Sequence, residues 1–466
     1  MTRPNLVFIL IDDLGWRDLA CYGSSFYETP NLDRLAAEGM SFTDAYAACP
    51  VCSPTRASIL TGKYPATVGV TDWIDWGLGI HPCRGRLVDA PYVDHLPLDE
   101  KSLAVALKEA GYNTWHVGKW HLGGEPYLPE NHGFDVNVGG CHWGSPLNGY
   151  FSPYDIPGLE NGPQGEYLTD RLTTEAVRLI ENNDGKPFFL NLWYYSVHIP
   201  IQARQEYIEK FEAKARAMGL DRVDPFQVDD FFPCEHKKDE RIVRRRIQSD
   251  PAYAAMVYSL DENVGRLLTA LERTGQAKNT VVVFTSDNGG LATAEGSPTS
   301  NAPLSEGKGW MYEGGTREPL IVHWSGVVEP GSACPVPVTS PDFYPTLLDV
   351  AGLDPLPEQH QDGVSLVPFL KGADSLDRGA IFWHYPHYGN QGGTPGSSVR
   401  AGDYKLIEFF EDRHLELYNL KEDIGEEHNL AEAEPALRGE LGAMLVDWRE
   451  QVQARIPEPN PDHALR

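Results

Sequence analysis

Cysteine, positive charge and long apolar runs are scarce in this sequence. Seven cysteines are spread over 466 residues, unlike the dense framework of a disulfide-stapled secreted domain. Only Cys49 and Cys52 form a Cys-x-x-Cys pair; Cys21, Cys83, Cys141, Cys234 and Cys334 each stand alone, so the second pair of a zinc site is missing. Lysine and arginine number 39 against 67 aspartates and glutamates, a formal charge of −28. That balance excludes nucleic acid as a partner, because phosphate binding needs a basic face. It also argues against long-range attraction of a polyanion, so any anion site must be a local positive cluster. No apolar stretch approaches the roughly 20 residues that cross a bilayer. The run at 6–11 is too short for a secretory signal core, offers no small-residue cleavage site and ends in Asp12-Asp13. The expectation is no membrane partner: cytoplasmic as the sequence stands, or periplasmic or secreted if a leader has been trimmed away.

Material for a core is ample. Hydrophobic residues make up 41% and charged residues 23%, the composition of an ordinary globular protein, and the length suits one large domain with a smaller appendage. Continuous apolar runs at 6–11, 188–195, 280–285 and 319–324 read as buried strands, with a shorter one at 113–117. Helical periodicity, with Pro or Gly at the ends, marks segments beginning at Pro30, Lys101, Leu168 and Pro251. Residues 203–250 are charged and irregular, and the four arginines within 241–246 read as a solvated surface helix or loop. The alternation predicts an α/β fold: a large, mixed, mostly parallel sheet with helices on both faces. From about residue 381 the pattern changes, predicting a small C-terminal α+β subdomain with an antiparallel sheet and a final helix near 435–455. The expected division is a catalytic domain at 1–375 and a C-terminal subdomain at 376–466.

Buried-looking strands here end in polar motifs: Asp12-Asp13, Lys119 and His121, His198, and Asp287-Asn288. In parallel α/β sheets the carboxyl ends of the strands form the ligand crevice. Asp12, Asp13, Asp287 and Asn288 are hard oxygen donors, suited to Ca²⁺ or Mg²⁺ rather than zinc; read singly, an Asp-Asp after a strand is also a common turn or cap. Lys119 and His121, two apart, face one side of an extended backbone. Lys308 lies in Glu306-Gly307-Lys308-Gly309-Trp310, whose glycines would let the loop approach a substrate closely.

The stretch Cys52-Ser53-Pro54-Thr55-Arg56 reads as a helix start, with Ser53 as N-cap, Pro54 at the first helical position and Gly62 closing the helix. It places Cys52 just outside a helix N-terminus, where unpaired N–H groups favour an anion, and Arg56 adds positive charge in the first turn. A buried thiol, or half of a redox or zinc pair, competes with a reactive role. Cys-x-Pro-x-Arg, however, is the pattern read by formylglycine-generating enzymes, and with Gly-Lys-Trp-His at 118–121 and Asp287-Asn288 the chain resembles the type I sulfatases of the alkaline phosphatase-like superfamily.

The resemblance implies an arylsulfatase-type hydrolase. Cys52 would be oxidised by a formylglycine-generating enzyme to an aldehyde, which hydrates to a diol. Calcium (magnesium less so) would be held by Asp12, Asp13, Asp287, Asn288 and the modified Cys52. Lys119, Lys308 and Arg56 would neutralise sulfuryl oxygens, His198 with Lys308 would protonate the leaving alcohol, and His121 would serve as base when the second hydroxyl expels sulfate. Trp73, Trp76, His81, His142, Trp143, His384, His387 and Arg400 lie in segments that could line a sugar-sized pocket, so a sulfated monosaccharide or short oligosaccharide, of galactose or hexosamine type, is expected. The rivals are a phosphonate monoester or phosphodiester hydrolase, whose relatives carry His where Asn288 stands, and an inactive sulfated-glycan binding protein. A phosphoglycerate mutase or alkaline phosphatase would show a Ser or Thr nucleophile and His-rich ligands for two metals.

Overall fold

The computed structural model describes residues 3–75, 79, 81, 83–373, 375–376 and 378–463. Its strands, in chain order, are β1 (Asn5–Ile11), β2 (Met40–Tyr46), β3 (Asn113–Gly118), β4 (Val136–Val138), β5 (Phe188–Trp193), β6 (Phe226–Phe231), β7 (Arg241–Arg245), β8 (Thr280–Ser286), β9 (Arg317–Trp324), β10 (Ser332–Cys334), β11 (Val338–Thr339), β12 (Ile381–Tyr385), β13 (Gly396–Ala401), β14 (Tyr404–Phe409) and β15 (Leu415–Asn419). The main sheet runs β10-β2-β9-β8-β1-β5-β3-β4, with β11 also on β2. Pairings from β8 through β1, β5 and β3 to β4 are all parallel. β9 is antiparallel to both β2 and β8.

β1 is the axis of this sheet, and its alternation feeds two cores. Val7, Ile9 and Ile11 pack with the helices Leu168–Glu181, Gln205–Met218 and Pro251–Arg273, while Leu6, Phe8 and Leu10 pack on the opposite face with Cys52–Thr61, Leu103–Glu109 and Phe343–Val350. Each such fully buried side chain contributes about 1.5–3 kcal/mol. Ile11 pairs with Ser286 and Leu10 with Trp193, so β1, β8 and β5 end level with one another, and Gly118 of β3 reaches Trp193 from the far side.

Three segments differ from the sequence reading. β2, Met-Ser-Phe-Thr-Asp-Ala-Tyr, carries polar residues at alternating half-buried positions and a bulge between Phe42 and Ala45, which hid it from a search for apolar runs. The arginine-rich run is a strand: β7 pairs antiparallel with β6 in a two-stranded ribbon, and Arg244 is paired with Asp229 and Glu306 rather than solvated. Residues 205–218 form a regular helix within the segment read as irregular. At the C-terminus, β12-β13-β14-β15 form the antiparallel sheet, covered by the helix Pro435–Gln451. Among the described residues no helix is long and apolar enough to cross a membrane.

Candidate active site

The level strand ends bring the expected groups together. Asp13 adopts a left-handed backbone (φ 64°) directly after β1, a conformation Asp tolerates better than most residues. Its N–H donates to Asp287 Oδ1 (3.2 Å), and Asn288 Nδ2 donates to Asp13 Oδ1 (2.8 Å). Lys119 Nζ reaches Asp12 Oδ2 at 2.7 Å, and Lys308 Nζ lies 2.8–2.9 Å from both Asp13 oxygens. Ligand atoms of Asp12, Cys52 and Asp287 lie within 4.8 Å of one another, as do those of Asp12, Asp13 and His198.

The unsatisfied atoms of these donors fit a hard divalent cation. Asp12 Oδ1 and Asn288 Oδ1 are buried and accept no hydrogen bond, an arrangement that costs about 1–3 kcal/mol per group unless a ligand fills it. Burial pushes the Asp12 carboxyl up to about 8, although Lys119 opposes the shift. Burial works against Asp13 too, but Lys308 and His198 hold it well below the usual carboxylate range. Three carboxylates face Lys119, Lys308 and Arg56, so a dication would leave a net positive centre suited to an anionic ester.

Cys52 opens the helix Cys52–Thr61 as its first residue, with Val51 rather than Ser53 at the N-cap position and no side-chain cap there. Ser53 Oγ instead donates to the His121 carbonyl (2.9 Å) and accepts from Ile74 N–H (3.1 Å), tying helix and pocket wall together. Burial raises the Cys52 thiol above its ordinary pKa, with Lys119 and Lys308 pulling the other way. An unmodified Cys52 is therefore a thiol and a poor nucleophile at neutral pH.

His121 follows the end of β3 in a left-handed conformation (φ 58°), so the bend, not strand alternation, aims its ring. Its Nε2 lies 2.9 Å from the Ile74 carbonyl and must donate there, which leaves Nδ1 as an acceptor 3.4 Å from Cys52 Sγ. Burial and Lys119 depress its pKa far below 6.5, so the ring is a neutral base facing position 52. His198 Nδ1 donates to the Ile199 carbonyl (2.9 Å), and Nε2 lies 3.7 Å from Asp13 Oδ2. Burial and Lys308 lower its pKa to about 3.

Cys52, His121, His198 and Lys308 line a cavity of about 250 Å³, together with Trp73, Ile74, His142, Trp143, Glu295 and Gln391. Arg56 does not. Fully buried, it donates through Nε to Asp287 Oδ2 (2.9 Å), with Nη2 at 2.7 Å, and through Nη1 to the Lys119 carbonyl (3.1 Å), with its guanidinium 5.1 Å from the Trp193 ring centroid. It positions Asp287 and lies behind the cavity wall. The glycines flanking Lys308 serve the protein rather than a substrate: a Cβ on Gly307 would come within 2.3 Å of the Gly290 carbonyl, and Gly309 N–H donates to the Pro50 carbonyl (2.8 Å).

Of the sugar-pocket candidates, Trp73, His142 and Trp143 line the cavity, and Trp76 lies outside the described residues. Arg400 is turned into the interior, paired with Asp44 and Tyr46, and His384 bonds Ser397 and the Arg455 carbonyl. His81 and His387 belong to a separate buried cluster around Asp72 and Asp89. The sequence reading made Ser53 a cap and missed Trp193 and Ile74. An apolar residue carries no motif, and only the fold shows that Trp193 packs on Arg56 and that Ser53 and Ile74 hold His121.

A family model described as sulfatase matches residues 4–353, and one described as N-sulphoglucosamine sulphohydrolase, C-terminal, matches 306–451. A sulfatase of Formosa agariphila is 34% identical, covering 99% of this chain and 93% of its own. The N-acetylgalactosamine-6-sulfatase of Mus musculus is 33% identical over 86% of this chain and 71% of its own. Among solved structures, Ps i-CgsB in complex with k-i-k-neocarrahexaose superposes with a TM-score of 0.77 at 30% identity, over 100% of this chain and 96% of that one. BT4656 in complex with its substrate D-glucosamine-2-N,6-O-disulfate gives 0.70 at 25%, over 97% and 98%. With a level row of strand ends that brings carboxylates and lysines beside the cysteine that opens a helix, this chain belongs to the sulfatase family of sulfuric ester hydrolases.

Proposed function

We propose that this enzyme hydrolyses the sulfate monoester of a sulfated carbohydrate of galactose or hexosamine type, with Cys52 matured to formylglycine by a formylglycine-generating enzyme and one calcium ion held by Asp12, Asp13, Asp287 and Asn288. The observation that carries this reading is the pair of buried, unpartnered oxygens, Asp12 Oδ1 and Asn288 Oδ1, beside a thiol that burial keeps protonated. Relatives whose names specify N-acetylgalactosamine 6-sulfate chemistry, and neighbours solved with neocarrahexaose and a sulfated glucosamine, support a sugar as the alcohol half. Trp73 and Trp143 give the cavity the aromatic walls on which sugar faces pack.

When bound, calcium would neutralise charge on the sulfuryl oxygens and acidify a hydroxyl at position 52. The chain's own groups do the rest. Lys308, at the cavity wall, exchanges its contact with Asp13 for the ester oxygens, while Lys119 holds Asp12 from behind. His198 is fixed through Nδ1–H, which turns Nε2 toward the cavity. An arriving anionic ester favours its imidazolium form, and Nε2–H then protonates the departing alcohol. His121, locked as the Nε2–H tautomer, accepts the proton from position 52 at Nδ1.

The test is a turnover screen over sulfated galactose, N-acetylgalactosamine and glucosamine esters, with phosphonate monoesters and phosphodiesters alongside. Wild type should cleave at least one sugar sulfate faster than any phosphorus ester, and Cys52→Ala should lose at least about 10³-fold. Mass analysis of the peptide carrying residue 52 should find the aldehyde. Undiminished activity in Cys52→Ala, or a phosphodiester preferred over every sulfate, refutes the assignment.

A further inference from the structure

Behind the cavity wall formed by Trp73 and Ile74 lies a second group of metal-ligand side chains that the sulfate chemistry does not use. Asp72, His81 and Asp89 each offer a ligand atom, and all three atoms lie within 4.8 Å of one another. Their side chains are at most 7% exposed. Neither carboxylate has a lysine or arginine partner among the described residues. Two buried carboxylates without a fixed cation are costly.

The hydrogen bonds around the cluster leave two facing atoms unpaired. Asp72 Oδ1 accepts from Trp73 N–H (2.8 Å) and Tyr385 OH (3.1 Å). Asp89 Oδ2 faces His81 Nδ1 and Cys83 N–H, each at 3.3 Å, and its Oδ1 accepts from His387 Nδ1 (2.5 Å). What remains is Asp72 Oδ2 and His81 Nε2. Both are buried, both lack a hydrogen-bond partner among the described residues, and they face each other across 3.4 Å, with His387 Nδ1 3.7 Å from the carboxylate oxygen. Bonds of about 2.0–2.2 Å to a tetrahedral ion put adjacent O and N ligands roughly 3.3–3.5 Å apart. Asp89 on His81 Nδ1 reproduces the carboxylate–histidine–metal arrangement that fixes which ring nitrogen coordinates.

We propose that Asp72 Oδ2 and His81 Nε2, with Asp89 orienting the His81 ring through Nδ1, form a second metal site, distinct from the proposed calcium centre, for a divalent transition ion of which zinc is the representative. The mixture of imidazole and carboxylate selects such an ion over calcium. His387 supports Asp89 from behind, itself bonded to Thr71 Oγ1 (2.9 Å). The ion would pin Asp72 and His81 together, and with them Trp73, whose ring packs on His81 at 4.7 Å, and Ile74, whose carbonyl fixes the tautomer of His121.

The full-length protein, stripped with a chelator and returned to calcium buffer, is equilibrated with zinc chloride, desalted and assayed by elemental mass spectrometry. Wild type should retain about one equivalent of zinc and melt at a higher temperature with it. Asp72→Asn and His81→Gln should bind zinc at least about 100-fold more weakly, with circular dichroism reporting that they are folded. Asp287→Asn, altered in the other centre, should keep the zinc. Crystals of wild type grown with zinc should show an anomalous peak between Asp72 and His81, a readout that needs no variant to fold. Zinc held no better by wild type than by the variants, as expected if a protonated His81 alone bridges the carboxylates, overturns the site, as does an anomalous map empty there.

Discussion

Replacing Arg56 with alanine removes a wholly buried guanidinium whose Nε–H donates to Asp287 Oδ2 at 2.9 Å, whose Nη2 lies 2.7 Å from the same oxygen as an ion pair, and whose Nη1 donates to the Lys119 carbonyl at 3.1 Å. The Asp287 carboxylate is then stranded without its strongest partner. Removing one member of a buried ion pair costs about 3–5 kcal/mol, and the contact over Trp193 adds to the loss. Arg56→Lys keeps the charge but cannot span Asp287 and the Lys119 carbonyl together, for a cost of about 1.5–3 kcal/mol. Urea unfolding followed by tryptophan fluorescence, run with and without calcium, reads both numbers. Asp287→Asn placed on top of Arg56→Ala should recover part of the loss, because the stranded charge is gone. Since Arg56 does not line the cavity, the variants should lose kcat with little change in KM for an aryl sulfate. Normal stability with KM raised tenfold would mean that Arg56 touches the ester, and the positioning argument would fail.

His121→Ala should cut steady-state turnover by about 10²–10⁴-fold yet release a first burst of alcohol stoichiometric with enzyme; absence of the burst would move His121 to the earlier step. Chelation should abolish activity and lower the melting temperature, with calcium restoring both. A ligand at 100 times its Kd stabilises by about 2.7 kcal/mol, and indifference to chelator removes the metal from the centre. Burial raises the Asp18 carboxyl to about 6, although Tyr253, Thr299, Gly15 N–H and Gln248 all donate to it. The native state thus holds this proton more tightly than the unfolded chain, whose value is 3.8. Its stabilising contribution is complete below about pH 4 and lost as pH rises through about 6, falling by about 1.4 kcal/mol per unit between. Asp18→Asn should flatten that portion of the stability curve, and an unaltered slope in denaturation between pH 4 and 6 would contradict it.

The strands that carry the site were legible because each is buried on both faces and therefore mostly apolar: β1, β5 and β8 announce themselves, and the polar pairs Asp12-Asp13 and Asp287-Asn288 that follow β1 and β8 stay buried with them. Helix Pro251–Arg273 was equally plain from its period. Other parts follow from tertiary context. β2 is covered on alternate residues only, and β7 neutralises its arginines on Asp229 and Glu306, partners distant in sequence. The motif Cys-x-Pro-x-Arg named Arg56 but not its direction, which Asp287, 231 residues away, decides. Ser53 has the right chemistry for an N-cap, but the helix begins one residue earlier and its hydroxyl is spent on His121 and Ile74.

The small C-terminal sheet meets the large one across a dry electrostatic knot. Glu313 sits at its centre, held by Tyr46 (2.7 Å), Arg317 (2.6 Å) and Lys405 (2.9 Å), while Glu426 reaches both Lys405 and the Glu313 N–H. Lys405 and Glu426 come from the last quarter of the chain, Tyr46 and Arg317 from the body. Shortening the protein before β12 would not release an independent hydrolase: it would open this seam, leave Glu313 and Arg317 to water or to each other, and uncover Tyr46 and Val51 a few residues from the reactive position. Truncated versions should accumulate as insoluble material, and the two pieces should be recovered only when made together.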